Sequence, residues 1–127
     1  FKRPVILIRE FSKQFASDFG EGRIVALTSD AVAHNLPYGA SKGAMDRIVI
    51  AAAKELRHQG IAANAINPGA TDTGWMDSEL KSRVQQLTCL NRIGTAQDCA
   101  NLVNFLCSKE GGWINGQLLY SNGGVVH

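Results

Sequence analysis

The 127-residue chain has little of what usually marks a specialised protein. Its cysteines are few and badly placed: Cys89, Cys99 and Cys107 are odd in number and never closer than eight positions. That spacing gives neither a disulfide framework nor a Cys-x-x-Cys metal or redox motif. His34, His58 and His127 also lack ligand spacing, which argues against a metal site. Long hydrophobic runs are missing, since Val5–Ile8 and Ile48–Ala53 are far too short to span a bilayer, and no signal peptide precedes them. The formal charge of +2 is spread without a Lys/Arg block or an aromatic stripe, so there is no electrostatic footprint for nucleic acid. These absences predict a cytoplasmic protein without membrane or nucleic-acid partners.

What is present is enough for one globular domain, with 45% apolar residues to build a core. Pro4 followed by Ile8, Phe11 and Phe15 predicts an amphipathic helix over about 4–18. Gly20 and Gly22 end it. Arg23–Thr28 then reads as a short buried strand. Pro37 opens and Gly60 closes a long helix whose middle, Ile48 to Ala53, is apolar all round. Such a helix needs two covers. A sheet supplies one, and a second subunit, approaching over Ala51 and Ala52, is expected to supply the other in a homodimer or homotetramer.

A second buried strand is predicted at Ile61–Ile66, followed by a Pro68-Gly69 turn and a polar loop to Met76. A short helix is predicted over about 78–87. Thr95 with Asp98 three residues later has the form of a capping box for a helix over 96–108, with Leu102, Val103, Phe105 and Leu106 facing inward. Gln117–Ser121 is the last strand. Strands alternating with helical crossovers predict an α/β domain with a parallel sheet.

Tyr38 and Lys42 stand four residues apart at the start of the long helix, on one face. An ammonium beside a phenol favours the phenolate, which makes Tyr38 a usable general acid or base. The spacing alone is equally that of a solvated helix face. Ser29, at the carboxyl end of the first strand, lies where open α/β sheets bind ligands. Its hydroxyl could orient a carbonyl and stabilise charge developing on the oxygen, or simply form a turn.

Taken together, Gly22-Arg23-Ile24-Val25 leading to Ser29, Tyr38 to Lys42, Asn64-Ala65-Ile66-Asn67-Pro68-Gly69 with Thr71 and Thr73, Arg92-x-Gly94, Phe105-Leu106, and Trp113 to Gly124 resemble the short-chain dehydrogenase/reductases. In particular they resemble bacterial forms similar to 3-oxoacyl-acyl-carrier-protein reductases. The resemblance covers nearly the whole chain. It implies the carboxyl-terminal part of a doubly wound, Rossmann-type parallel sheet, so that residues 1–127 form a partial domain. It further implies reversible hydride transfer between NADP or NAD, with NADP preferred, and a small-molecule carbonyl or alcohol. Ser29, Tyr38 and Lys42 would be catalytic, Lys42 easing proton transfer at Tyr38 and bonding the nicotinamide ribose. Pro68 and Gly69 would form the turn beside the nicotinamide, and Thr71 and Thr73 would meet its carboxamide. Gly74 to Met76 and the helix beyond resemble a lid, with Trp75 either an apolar wall or core packing.

Two features depart from the family. Only eight residues separate Ser29 from Tyr38, so Asp30 to Leu36 should cross the site tautly and bring His34 and Asn35 near substrate. No Gly-x-x-x-Gly-x-Gly or Gly-x-Gly-x-x-Gly follows a strand, so the pyrophosphate cradle of the family is missing, and because the first helix resembles the family's segment just beyond its catalytic Asn, that Asn is expected to be missing as well. The isolated chain is therefore expected to be inactive. The alternative is a silent fragment or a non-enzymatic oligomerisation module.

Overall fold

The computed structural model describes residues 2–29 and 35–125. Helix α1 covers Lys2–Gln14. Pro4 lies in its first turn, where a missing N–H breaks no intrahelical bond. The helix stops earlier than its apolar spacing predicts. Phe15 leaves the helical path, its ring centroid 5.8 Å from that of Phe11, and packs over the Cα of Gly22, where an added Cβ would come within 2.9 Å of the ring. A tertiary contact thus takes the last apolar residue of the stripe.

Strand β1 is Arg23–Leu27, and α2 runs over Leu36–Glu55 with Pro37 in its first turn. A single 3-10 turn, Leu56–Gln59, ends at Gly60 with φ 65°, a left-handed conformation that glycine adopts without cost. Strand β2, Ala62–Asn67, is buried along its whole length. With β5, Leu118–Tyr120, these strands form a parallel sheet in the order β1-β2-β5. The register runs from Arg23 opposite Ala62 to Leu27 opposite Ile66. Between β2 and β5 lie α3, Ser78–Leu87, and α4, Ala96–Cys107. A two-residue parallel ribbon also forms there, β3 (Thr71–Asp72) with β4 (Gly94–Thr95). The sequence predicts only loop at both places.

The core explains the small residues of β2. Val49, Ala52 and Ala53 of α2 pack on Ala63 and Ala65, with Ile24, Ala26 and Leu118 around them. Alanine on both surfaces lets helix and sheet approach closely, and spacing i, i+3, i+4 puts the three α2 residues on one face. Ala52 therefore belongs to the chain's own core and is not available to a second subunit, whereas Ala51 is exposed. Helix α1 packs against the same cluster through Ile8. On α4 the inward stripe is Cys99, Leu102, Val103 and Leu106. Phe105 falls about 100° off that stripe and is 44% exposed, which corrects the inward position predicted for it.

Candidate active site

Parallel strands deliver their carboxyl ends to one side of a sheet, and α2 begins on that side. There Thr28, which follows β1, ties three elements together. Its amide donates to the Ile66 carbonyl of β2 at 2.8 Å, and its hydroxyl donates to the Lys42 carbonyl of α2 at 3.3 Å. The Lys42 ammonium in turn donates to the Leu27 carbonyl at 3.0 Å and lies 5.7 Å from the centroid of the Tyr38 ring. Tyr38 is 44% exposed, so its phenol is open to a ligand. Ser29 is half-buried immediately after Thr28. The three predicted residues are thus gathered at the end of β1, with Lys42 directly beside Tyr38. Asn35 is the N-cap residue of α2, its carbonyl accepting from the Gly39 amide at 3.0 Å. His34 and the segment from Asp30 to His34 lie outside the described residues.

The second wall comes from the end of β2. The Asn67 side chain accepts from the Gly69 amide at 2.9 Å, shaping the Pro68-Gly69 turn as an Asx turn. Gly69 has φ 65°, and a Cβ there would meet that of Asn122 at 2.6 Å, so both conformation and space call for glycine. Pro68, Thr71 and Thr73 line a cavity of about 660 Å³ together with Leu27 and, from α4, Cys99 and Val103. Gly69 shapes the turn and is not part of that lining.

Beyond it, Asp72 steadies the loop. Its carboxylate accepts from the Gly74 amide at 3.0 Å and pairs with Lys81 of α3 at 3.1 Å. The Gly74 amide first, and Lys81 second, hold this carboxyl below its ordinary value. Trp75 is 66% exposed, which removes the core-packing alternative. Among the described residues, no three His, Cys, Asp or Glu side chains are grouped to hold a metal ion.

A model of the enoyl-(acyl carrier protein) reductase family matches residues 4–126. The chain belongs to the short-chain dehydrogenase/reductases. A short-chain type dehydrogenase/reductase of Picea abies is 39% identical over 134 residues, covering 98% of this chain and 49% of that protein. An angucycline C-6 ketoreductase with bound NADP superposes with a TM-score of 0.84 at 28% identity, covering 97% of this chain and 49% of its own. A 7α-hydroxysteroid dehydrogenase complexed with NADH and 7-oxo glycochenodeoxycholic acid gives 0.79 at 31% identity, covering 95% and 49%. The chain spans about half the length of the curated relatives it matches, corresponding to their carboxyl-terminal part.

Against this short-chain dehydrogenase/reductase frame, Thr28 and the Leu27 carbonyl are the positioning groups that sequence reasoning missed. Thr28 could have been noticed as the hydroxyl beside Ser29. A main-chain carbonyl has no signature in a sequence, because every residue carries one.

Proposed function

We propose that the longer polypeptide carrying this chain is an NAD(P)-dependent oxidoreductase that interconverts a carbonyl and an alcohol, with Ser29, Tyr38 and Lys42 as its acid–base apparatus. The observation that carries this reading is the Lys42 ammonium, anchored 3.0 Å from the Leu27 carbonyl and 5.7 Å from the Tyr38 ring. An anchored cation beside an accessible hydroxyl-bearing ring is the kind of arrangement that positioned acid–base transfer to a substrate oxygen requires.

The nicotinamide dinucleotide supplies the hydride. In the reducing direction the carbonyl carbon accepts that hydride while Tyr38 gives its proton to the oxygen, producing an alcohol; solvent then reprotonates Tyr38. Ser29 orients the carbonyl and donates a hydrogen bond to the oxygen as its negative charge grows. The cavity below Leu27 suits the nicotinamide end, since Leu27, Pro68 and Val103 offer an apolar wall and Thr71 and Thr73 offer hydroxyls for a carboxamide. The pyrophosphate end has no such match: among the described residues no Gly-rich turn joins a strand to a helix amino-terminus. Structural neighbours described with NADP and with NADH support either cofactor, and NADPH is the first to try.

Tyr38→Phe in the longer polypeptide tests the reading. Carbonyl reduction should fall by about 10²- to 10⁴-fold, with cofactor affinity unchanged because only the transferable proton is removed. Turnover close to that of the unmutated protein would reject the assignment. Assays with a 3-oxoacyl thioester and with a hydroxysteroid divide the substrate class.

A further inference from the structure

Asparagine followed by glycine occurs twice in the chain, at Asn115-Gly116 and Asn122-Gly123. In such a pair no side chain on the glycine keeps its amide from the carboxamide before it, so the folded state decides whether the two react. At Asn115 it keeps them apart. The Asn115 side chain accepts from the Ala63 amide at 2.9 Å, and the Gly116 amide donates to the Ala63 carbonyl at 2.9 Å. Both groups are committed to β2. At Asn122 the opposite holds. Its side-chain oxygen accepts from the Gly124 amide at 3.1 Å, an Asx turn that folds the carboxamide back over the intervening Gly123 peptide. Among the described residues nothing accepts from the Gly123 amide. The Gly124 N–H is also placed to stabilise negative charge growing on the carboxamide oxygen. Asn67 makes the same turn, accepting from the Gly69 amide at 2.9 Å, but Pro68 follows it and has no N–H to supply.

We propose that Asn122 is a self-modification site, which closes to a cyclic imide with the Gly123 amide nitrogen and hydrolyses to isoaspartate and aspartate, and that the isoaspartate form displaces the Pro68-Gly69 turn. Hydroxide takes the Gly123 amide proton, and the nitrogen attacks Cγ of Asn122. The bond from Cγ to Nδ2 then breaks, and Nδ2 takes a proton from water and leaves as ammonia. A second water opens the ring at either imide carbonyl. Opening at the side-chain carbonyl gives aspartate; opening at the main-chain carbonyl gives isoaspartate, whose main chain runs through Cβ and Cγ. Asn122 is half-buried and Gly124 exposed, and with Gly123 they line an open cavity of about 460 Å³, so water and hydroxide reach the pair.

The surroundings leave the isoaspartate no slack. On one side the Ser121 amide donates to the Asn67 carbonyl at 2.9 Å; on the other, the Gly123 and Gly124 carbonyls accept from the Leu90 and Cys89 amides at 3.1 and 2.8 Å. A main chain made longer by a carbon between these two clamps has to bulge. The Cβ and Cα of Asn122 are the atoms that face Gly69, where an added Cβ would come within 2.6 and 3.2 Å of them. The bulge therefore moves the Gly69 turn, which follows Asn67 directly into the wall assigned to the nicotinamide. That loss for the cofactor rests on the hydride-transfer reading, whereas the imide chemistry does not.

Ageing the longer polypeptide in warm, mildly alkaline buffer tests the site, with peptide mass spectrometry to place each conversion and a protein-isoaspartate methyltransferase as the reagent for the isoaspartyl form. In the folded protein Asn122 should convert at least about tenfold faster than Asn115, since a hydrogen bond that must be given up is worth about that factor. Asn67 should stay intact. In urea Asn115 should catch up with Asn122. Equal rates in the folded protein, or a slower Asn122, would overturn the proposal. Hydrogen exchange at Gly69 reads the consequence without any activity assay: the isoaspartyl fraction should exchange there about tenfold or more faster than unaged protein. Asn122→Gln, which needs a larger ring to react, should keep both its amide and its slow Gly69 through the same treatment. Unchanged exchange in the isoaspartyl fraction, or equal quickening in aged Asn122→Gln, would refute the link to the turn. NADPH affinity should fall in step with the isoaspartyl fraction; an unaged protein that binds no NADPH rejects the hydride-transfer reading and leaves the Gly69 result standing.

Discussion

Asn64 is 1% exposed in the middle of β2, where its side chain donates to the Ile114 carbonyl at 3.0 Å and accepts from the Gln117 amide at 3.0 Å. The neighbouring Ala63 amide donates to the Asn115 side chain at 2.9 Å. Together these bonds attach the loop after α4 to the central strand and set where β5 begins. Asn64→Ala removes the partner of two part-buried main-chain groups; a fully buried group so left costs about 1–3 kcal/mol, so urea unfolding should show a loss of up to about that size. A midpoint unchanged from the parent would mean that the loop is held by other contacts. In the sequence Asn64 reads only as a polar residue interrupting an apolar strand, while Asn67 stands just before the Pro68-Gly69 turn that it shapes; the duty of Asn64 depends on which loop returns beside it. Ser29, Tyr38 and Lys42 were legible for the opposite reason, since two of them share a helix turn and the third ends a strand.

Among the elements, α4 carries its own start signal. The Thr95 side chain accepts from the Asp98 amide, and the Asp98 side chain accepts from the Thr95 amide, closing a capping box. Arg92 grips the same carboxylate through two nitrogens at 2.6 and 2.9 Å. Arg92 foremost, with the Thr95 amide and hydroxyl, holds the Asp98 carboxyl far below its ordinary value of 3.8, while Asp98 raises that of Arg92. A carboxyl depressed in the folded state contributes stability that is fully present above its unfolded value and is lost as pH falls through its folded one. Thr95→Ala should cost about 1 kcal/mol. Asp98→Asn should lower the melting temperature at neutral pH, by a difference that stays constant down to about pH 4 and shrinks below it. A difference that grew on acidification would refute this account. Helices α3 and α4 were readable from such local cues. The β3–β4 ribbon was not, because two-residue strands exist only through a partner more than twenty positions away, and no local propensity reports that.

At the scale of the molecule, three strands with helices on both faces make a sheet with an open side, in a chain about half the length of its relatives. Cofactor affinity in such folds comes in large part from a pyrophosphate held on main-chain amides at a helix amino-terminus, and among the described residues no Gly-rich turn joins a strand to such an end. Calorimetric titration of the 127-residue chain with NADPH and NADH should therefore show no saturable binding in the micromolar range. Saturation there would mean that the site is assembled differently. The sequence by itself determined the α/β class, the three strands of the main sheet and the long helix, and the Tyr38–Lys42 pair, because hydrophobic period, capping and helical spacing act within a few residues of each other. Only the tertiary structure decided that Ala52 belongs to the core while Ala51 faces out, that Phe105 is exposed, that α1 yields Phe15 to Gly22, and that the Leu27 carbonyl holds Lys42. Each of those outcomes depends on what another part of the chain brings alongside, which the local pattern of one segment does not contain.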